Sequence, residues 1–282
     1  METFDINRVH WEKGKFEPWY LDQKPLTLSD LNFSDDEELI VINLADNQYG
    51  FLLREVVYHH IIQGKLNGVD FILTFCGVCN AGVLLSPKLK NKLYHFKKIG
   101  VYNGQQIFED KETHTLWNHL TGEALYGGLL GNTLEYIGAL NMTIIGEMKV
   151  NFPDLQVFVS GKKILFRSIM RFVIKVILGE KNKNWLPPHF QKTLPEVDNT
   201  LPKMKMGLAV KVEDTIRFYP TELFKNGTFK DKIHNTELII QMAGKVPKAT
   251  SESGEELFQL FTRWYAFILT YPKGQLYKQR NE

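Results

Sequence analysis

The sequence predicts an α+β protein that is predominantly antiparallel β and consists of two related β-rich halves. Apolar residues alternate or cluster over short stretches, and glycines interrupt the middle third of the chain. Residues 51–75 also align without gaps on residues 218–242, and FPDLQVF (152–158) resembles YPKGQLY (271–277) further along. Two matches in the same order favour an internal duplication.

These features divide the chain into four predicted parts. Residues 1–36 are polar and aromatic and are interrupted by prolines, which is typical of an extended N-terminal arm. Residues 37–160 form the first half, residues 161–204 a helix and a Pro-rich crossover, and residues 205–282 a shortened second half. The second copy has no counterpart of the cysteines, so we expect the chemistry in the first half and a scaffold or lid in the second.

The first half begins with a clear strand pattern. Glu38–Leu44 is a β-type run, and Ala45-Asp46-Asn47 follows it as a turn. Tyr49–Tyr58 and Phe71–Phe75 are expected to be further elements. Asn67-Gly68 has the composition of a hairpin turn and lies between them.

The segment KKILFRSIMRFVIKVILGEKNK (162–183) has helical periodicity. Basic side chains recur every four residues and would lie opposite an apolar face; they are Lys163, Arg167, Arg171 and Lys175. One interpretation is a linker helix packed on the core. The other is a helix that lies on an anionic membrane surface.

Composition and charge limit the classes of function. A chain of 282 residues with a net charge of +2 lacks the concentrated basic surface of a nucleic-acid-binding protein. No apolar run reaches the roughly 18 residues that span a bilayer, and the N-terminal residues do not resemble a signal peptide. We therefore expect a cytoplasmic protein with no nucleic-acid partner, with peripheral membrane attachment through 162–183 as the alternative.

Cys76 and Cys79 are the only cysteines of the chain and lie in the sequence FCGVCN. The Cys-x-x-Cys spacing allows two thiolates to point at one centre, which suits zinc or copper(I). Histidine would have to complete such a site, and His59 and His60 precede the hairpin that delivers Cys76. The same pair is compatible with thiol–disulfide exchange or with two inert core residues.

Four segments together carry a resemblance to a known family. They are VVYHHIIQGKLNG (56–68), TFCGVCNAGVLL (74–85), the segment 93–134 and NFPDLQVF (151–158). In these residues the chain resembles the DUF3179 family. The resemblance implies that His59, Cys76 and Cys79 are signature positions and that Asp110 and Trp117 belong to the same pattern. His60 and His119 replace other residues of the family and are expected to modify the site.

The predicted function is metal binding, with copper or zinc as the cofactor, either in a metalloenzyme or in a metal carrier. In the enzyme, the metal would polarise water or dioxygen, and a carboxylate or imidazole would accept the proton. The candidate metal ligands are Cys76, Cys79 and His59, with His60 or His119 as a further ligand, and the candidate catalytic residues are Asp110 and His119. The alternatives are a thiol-redox protein that uses the cysteine pair and a non-catalytic binding module docked on a membrane. The sequence does not specify the small-molecule ligand or substrate.

Overall fold

The computed structural model describes residues 4–160, 184–224, 227–243, 246–255 and 257–278. The described part is predominantly β, with five small sheets arranged as a five-bladed β-propeller. The predicted α+β class with two related halves is therefore wrong. The described α-helices have seven residues or fewer and connect strands, so they do not form the helical layer that an α+β fold requires.

Short strands account for most of the described chain. In chain order, the first strands are β1 (His10–Trp11), β2 (Trp19–Tyr20), β3 (Leu26–Thr27), β4 (Glu38–Leu44), β5 (Asn47–Leu52), β6 (Ile61–Leu66), β7 (Val69–Cys76), β8 (Ala81–Leu85), β9 (Lys88–Leu89), β10 (Lys92–Leu93), β11 (Phe96–Tyr102) and β12 (Gln105–Asp110). They are followed by β13 (Leu116–Asn118), β14 (Ala124–Tyr126), β15 (Tyr136–Gly138), β16 (Leu140–Ile144), β17 (Gln156–Phe158), β18 (Met206–Val212), β19 (Thr215–Pro220), β20 (Phe229–Ile233), β21 (Thr236–Ala243), β22 (Val246–Ser251), β23 (Phe258–Arg263) and β24 (Gln275–Leu276). The α-helices are α1 (Leu53–His59), α2 (Ile145–Asn151), α3 (Pro188–Gln191) and α4 (Trp264–Thr270).

The strands form five main sheets and one two-stranded ribbon of β9 and β10. Sheet I has the order β16-β4-β5-β17-β3, sheet II β15-β8-β7-β6-β2 and sheet III β1-β11-β12-β13-β14. Sheet IV has the order β23-β18-β19-β24, and sheet V contains β20-β21-β22. Most neighbours are antiparallel, but β2/β6, β5/β17 and β19/β24 are parallel. The N-terminal arm contributes β1 to sheet III, β2 to sheet II and β3 to sheet I.

Local predictions in the first half agree with these strands. β4 spans Glu38–Leu44 as expected, and Ala45 and Asp46 form the following turn with positive φ values of 49° and 61°. Asn67 and Gly68 connect β6 to β7 with φ values of 45° and 83°. Positive φ at both central residues is typical of the two-residue turn that joins antiparallel strands.

The strand order of sheets I and II recurs in sheets IV and V. In both pairs a hairpin (β4–β5 or β18–β19) is followed by a second hairpin (β6–β7 or β20–β21). Each series ends with a short helix and a strand parallel to the first hairpin, which is β17 in one and β24 in the other. Strands β11–β14 of sheet III lie between β8 and β16 in sequence and have no counterpart among the described residues of the later sheets, and for this reason the molecule does not divide into two equal halves.

Three sheets meet around the loop that follows β7. Cys76 and Cys79 belong to an apolar cluster that also contains residues of sheets III and IV and of α4. Its large, fully buried members include Phe96, Phe108, Trp117, Phe218, Tyr265 and Phe267. Each such side chain contributes roughly 1.5–3 kcal/mol by burial. The cysteines are thus held inside a large apolar cluster.

The predicted membrane-binding helix 162–183 lies outside the described residues. Within the part of the chain that is described, no helix is long and apolar enough to cross a bilayer.

Candidate functional site

The two cysteines lie at either end of a short loop between antiparallel strands. β7 ends at Cys76, β8 begins at Ala81, and these two residues pair across the ladder. Asn80 closes the loop with φ = 55°, a left-handed conformation in which asparagine is enriched. The tight turn brings the sulfur of Cys79 to 3.6 Å from the carbonyl oxygen of Cys76.

The end of β23 holds this loop from a different sheet. The backbone N–H of Arg263 and the hydroxyl of Thr262 donate to the carbonyl of Cys79, at 3.2 Å and 3.0 Å. The guanidinium of Arg263 donates to the carbonyls of Val78 at 2.9 Å and Met204 at 3.0 Å. Because buried carbonyls need hydrogen-bond partners, these contacts fix the loop in position.

His119 approaches the loop from sheet III, on the turn after β13. Its carbonyl accepts a hydrogen bond of 2.7 Å from the hydroxyl of Thr74 in β7. The ring is fully buried, and its Nε2 lies 3.7 Å from the sulfur of Cys79. Packing of sheet III against sheet II thus places the imidazole beside the thiols.

Cys76, Cys79 and His119 form what we call the Cys–His cluster. Their ligand atoms all lie within 4.8 Å of one another. The three residues are 1%, 0% and 0% exposed. Two sulfurs and one imidazole nitrogen at this spacing are a donor set that thiophilic metals favour.

The two thiols differ in acidity. Burial by itself raises the pKa of the Cys76 thiol. A hydrogen bond from Cys79 opposes burial, as do several backbone N–H groups, and the pKa of Cys76 is lowered to about 7. Those N–H groups belong to Val78, Cys79 and Gln106. Burial and the hydrogen bond with Cys76 raise the pKa of Cys79 well above its ordinary value.

His119 is a neutral imidazole near pH 7. Burial lowers its pKa to about 3, and the positive charge of Lys98 acts in the same direction. A neutral ring offers one nitrogen lone pair, so the protonation state of His119 is the one that metal binding requires.

A buried ion pair lies close to the cluster. Lys98 of β11 donates to the carboxylate of Glu12 from the N-terminal arm, and both side chains are about 4% exposed. The Nζ atom of Lys98 also lies 3.9 Å from the ring centroid of Phe16. Burial lowers the pKa of Lys98, while Glu12 opposes that shift. The arm thereby neutralises a cation that would otherwise lie unpaired beside the site.

The two histidines expected beside the cysteines have other positions. His59 lies outside the Cys–His cluster: its Nδ1 is 2.8 Å from the carbonyl oxygen of Glu17, and its Nε2 is 3.3 Å from the hydroxyl of Ser160. His60 ends α1 with φ = 61°, and its Nδ1 is 3.2 Å from the carbonyl oxygen of Phe75. Burial lowers the pKa of His60 well below its ordinary value. Neither ring joins the three clustered ligand atoms.

Asp110, the predicted proton acceptor, lies at the end of β12 and bonds to the turn that follows it. Its buried carboxylate accepts hydrogen bonds from the backbone N–H groups of Thr113 and Thr115, at 2.6 Å and 3.2 Å. It also accepts bonds from the Thr113 hydroxyl at 2.8 Å and the indole N–H of Trp117 at 2.9 Å. This network orders the turn between β12 and β13, which leads to His119.

A cavity of about 310 Å³ adjoins the other side of the cysteine loop. Phe75, Asn80 and Gly82 line it, but no member of the Cys–His cluster does. Successive residues of a strand point to opposite faces, so Phe75 faces the cavity while Cys76 faces the buried cluster. A molecule in the cavity would contact the loop and not the thiols.

A second group of metal-type donors lies on the surface. Glu213, Asp214 and His234 are exposed on hairpin turns, and the Nε2 of His234 is 2.8 Å from the hydroxyl of Thr215. Exposed acidic residues commonly cluster without an ion, and this group lacks the buried, preformed character of the Cys–His cluster.

Sequence reasoning missed three residues that shape the site: Gln106, Lys98 and Arg263. Each is polar, buried and located in a strand. Such residues are uncommon in strand interiors unless they have partners, which is the signal that could have found Gln106 and Lys98. The role of Arg263 depends on contact between sheets II and IV, which no local pattern indicates.

A family model described as "Protein of unknown function (DUF3179)" matches residues 22–262. The matched range contains the whole Cys–His cluster. No curated protein and no solved structure matches the chain.

Proposed function

The chain belongs to the DUF3179 family, and from the chemistry of its buried site we propose that it binds one thiophilic metal ion, copper(I) or zinc. The observation that carries this proposal is the convergence of the ligand atoms of Cys76, Cys79 and His119 to within 4.8 Å of one another. Cys76 and Cys79 share the loop between β7 and β8, and packing of sheet III against sheet II brings His119 to them.

The donor types favour soft or borderline metals. Thiolates select copper(I) and zinc over magnesium and calcium, and imidazole suits both. A bound ion would supply Lewis-acid or one-electron chemistry. Three protein ligands leave a fourth position for zinc. The protein contributes two thiols, a neutral histidine and an environment that excludes water.

Metal analysis tests the proposal directly. Untagged protein would be loaded with copper(I) or zinc under reducing conditions, desalted and analysed by elemental mass spectrometry. We expect one ion per chain in the wild type and loss of the ion in Cys76→Ser, Cys79→Ser and His119→Ala. His59→Asn is the matched control, because His59 is buried but lies outside the cluster. Absence of metal from loaded wild-type protein, or equal loss in the control, would contradict the proposal.

Thiol–disulfide exchange is a second candidate, favoured by the opposite pKa shifts of the two cysteines. A thiolate at Cys76 would attack a disulfide of another molecule and form a mixed disulfide with it. The sulfur of Cys79 would then attack Cys76 in that mixed disulfide and release the partner's thiol. Two thiols of this protein thereby become one disulfide as the partner is reduced. Both thiols are free in the structure. Their near-complete burial is less suitable for this reaction than for metal binding, because the partner disulfide must reach the sulfur.

Mass spectrometry after alkylation would distinguish the two candidates. A redox protein incubated with oxidised glutathione would lose both alkylatable thiols and gain an internal disulfide within minutes. A metal protein would keep two thiols that react with the alkylating agent only after a chelator removes the ion or a denaturant exposes them.

A further inference from the structure

Gln106 acts on two members of the Cys–His cluster. Its backbone N–H helps to lower the pKa of the Cys76 thiol, and its side-chain amide nitrogen lies 3.2 Å from Nδ1 of His119. The residue is 2% exposed. Its Oε1 atom is buried and has no hydrogen-bond partner among the described residues. A buried amide with one satisfied end requires an explanation.

The direction of this amide determines which nitrogen of His119 carries the ring hydrogen. A neutral imidazole has one N–H and one lone pair. When the amide nitrogen of Gln106 donates to Nδ1, the ring hydrogen is on Nε2, which faces Cys79. In that tautomer Nε2 donates to sulfur and cannot bind a metal ion.

Half a turn of the same amide produces the opposite tautomer. The oxygen and nitrogen of a glutamine side chain have nearly the same shape, and their assignment follows from the hydrogen bonds they make. After the rotation, Oε1 of Gln106 accepts the hydrogen of Nδ1, and the lone pair of Nε2 faces the two thiols. The rotation pairs the Oε1 atom with His119 and moves the amide nitrogen to the position that Oε1 occupied.

We propose that Gln106 is the positioning residue that prepares His119 for metal binding, by accepting the Nδ1 hydrogen so that Nε2 is free to bind the ion. This proposal rests on the proposed metal-binding function. Ligand histidines commonly donate their second nitrogen to such an acceptor.

Affinity measurements with matched variants test the role of the side chain. Gln106→Leu keeps the backbone N–H to Cys76 but removes the acceptor, so we expect copper(I) or zinc to bind roughly 10–100-fold more weakly in a chelator competition. Gln106→Glu restores an acceptor and should bind within a few-fold of the wild type. Gln105→Leu is the control, because Gln105 is also buried on β12 but donates to Thr270 and Ala266; its affinity should equal that of the wild type.

Nitrogen NMR of the His119 ring supplies a readout that affinity does not. In the loaded wild type we expect the hydrogen on Nδ1, and in Gln106→Leu a mixture of tautomers in the metal-free protein. Equal affinity of wild type and Gln106→Leu, a hydrogen on Nε2 in the loaded protein, or a Gln106→Glu variant as weak as the leucine variant would overturn the role of Gln106. Each of these results would leave metal binding itself intact, whereas a wild type that binds neither metal would overturn the proposed function.

Discussion

Cys76 and Cys79 have opposite pKa shifts although both thiols are buried. Only Cys76 receives hydrogen bonds from both a neighbouring thiol and several backbone N–H groups, which stabilise a thiolate. Cys79 is left with burial and with a neighbouring negative sulfur, which both disfavour its ionisation. The first proton of the pair therefore leaves from Cys76, and a metal ion would have to displace the second.

Thiolate titration of the reduced, metal-free protein tests this difference. We expect one thiolate to appear in the ultraviolet spectrum near pH 7 and to be absent from Cys76→Ser. Cys79→Ala removes the thiol donor and should raise the pKa of Cys76, whereas Cys79→Ser keeps a donor and should change it less. A single thiolate that persists unchanged in Cys76→Ser would show that the assignment is wrong.

The buried carboxylate of Asp110 accepts hydrogen bonds from two backbone N–H groups, a hydroxyl and an indole. These bonds explain how the protein interior holds a carboxylate. Asp110→Asn replaces an acceptor by an amide group that cannot accept all four hydrogen bonds, so we expect a loss of about 2–4 kcal/mol in the free energy of unfolding. The measurement is denaturant unfolding, with the exposed Asp154→Asn as the control. Metal affinity of the folded variant should stay near that of the wild type, and a large selective loss of affinity would indicate a direct role in the site.

The cysteine loop depends on an element from another sheet. β7 and β8 supply the hairpin, but the end of β23 supplies Thr262 and Arg263, which bond to the carbonyls of Cys79 and Val78. Sheet IV thus holds the cysteine loop of sheet II in position without contributing a member of the Cys–His cluster. The loop position is set by hydrogen bonds between sheets rather than by the turn alone.

Removing the arginine contacts should loosen the loop. Arg263→Met leaves the carbonyls of Val78 and Met204 without a charged donor, and we expect a loss of roughly 1.5–3 kcal/mol in stability and faster alkylation of the cysteines in native conditions. Arg217→Met is the control, because Arg217 lies in β19, outside the cysteine loop. Its guanidinium is 2.5 Å from the carboxylate of Asp231. Equal alkylation rates in the two variants would contradict a role of Arg263 in holding the cysteine loop.

At the scale of the whole molecule, burial lowers the pKa of His60, which is half-buried, and that of His119, which is fully buried. Because both folded-state pKa values lie below the unfolded value of about 6.5, the unfolded chain binds more protons in acid. Their contribution to stability is therefore complete above about pH 6.5 and is lost as the pH falls below it. The loss amounts to at most about 1.4 kcal/mol per histidine for each pH unit.

Denaturant unfolding of metal-free protein at pH 7.5, 6.5 and 5.5 measures this dependence. We expect stability to fall between the two lower values and to fall less in His60→Asn and His119→Asn. His114→Asn should behave like the wild type, because that ring is 72% exposed. A wild type that is equally stable at all three pH values would contradict the lowered pKa values of His60 and His119.

Local order in this protein could be read from the sequence. The strand Glu38–Leu44, the hairpin turn at Asn67 and Gly68 and the placement of Cys76 at the end of a strand follow from apolar alternation and turn chemistry, which act between near neighbours. Turn-dense short strands likewise indicated a mainly β protein, but not that the sheets form the blades of a propeller. That arrangement depends on how sheets pack, and sheet packing has no short-range pattern.

The third member of the Cys–His cluster was decided by tertiary structure. His59 is nearer to the cysteines in sequence, but both of its ring nitrogens contact other groups. His119 lies 40 residues after Cys79 on a different sheet, and its Nε2 is 3.7 Å from that sulfur. The sequence by itself determined that the two thiols share a loop, because only two residues separate them. Which imidazole meets them was determined only when sheet III packed on sheet II, because burial of apolar side chains such as Trp117 drives that packing and carries His119 with it.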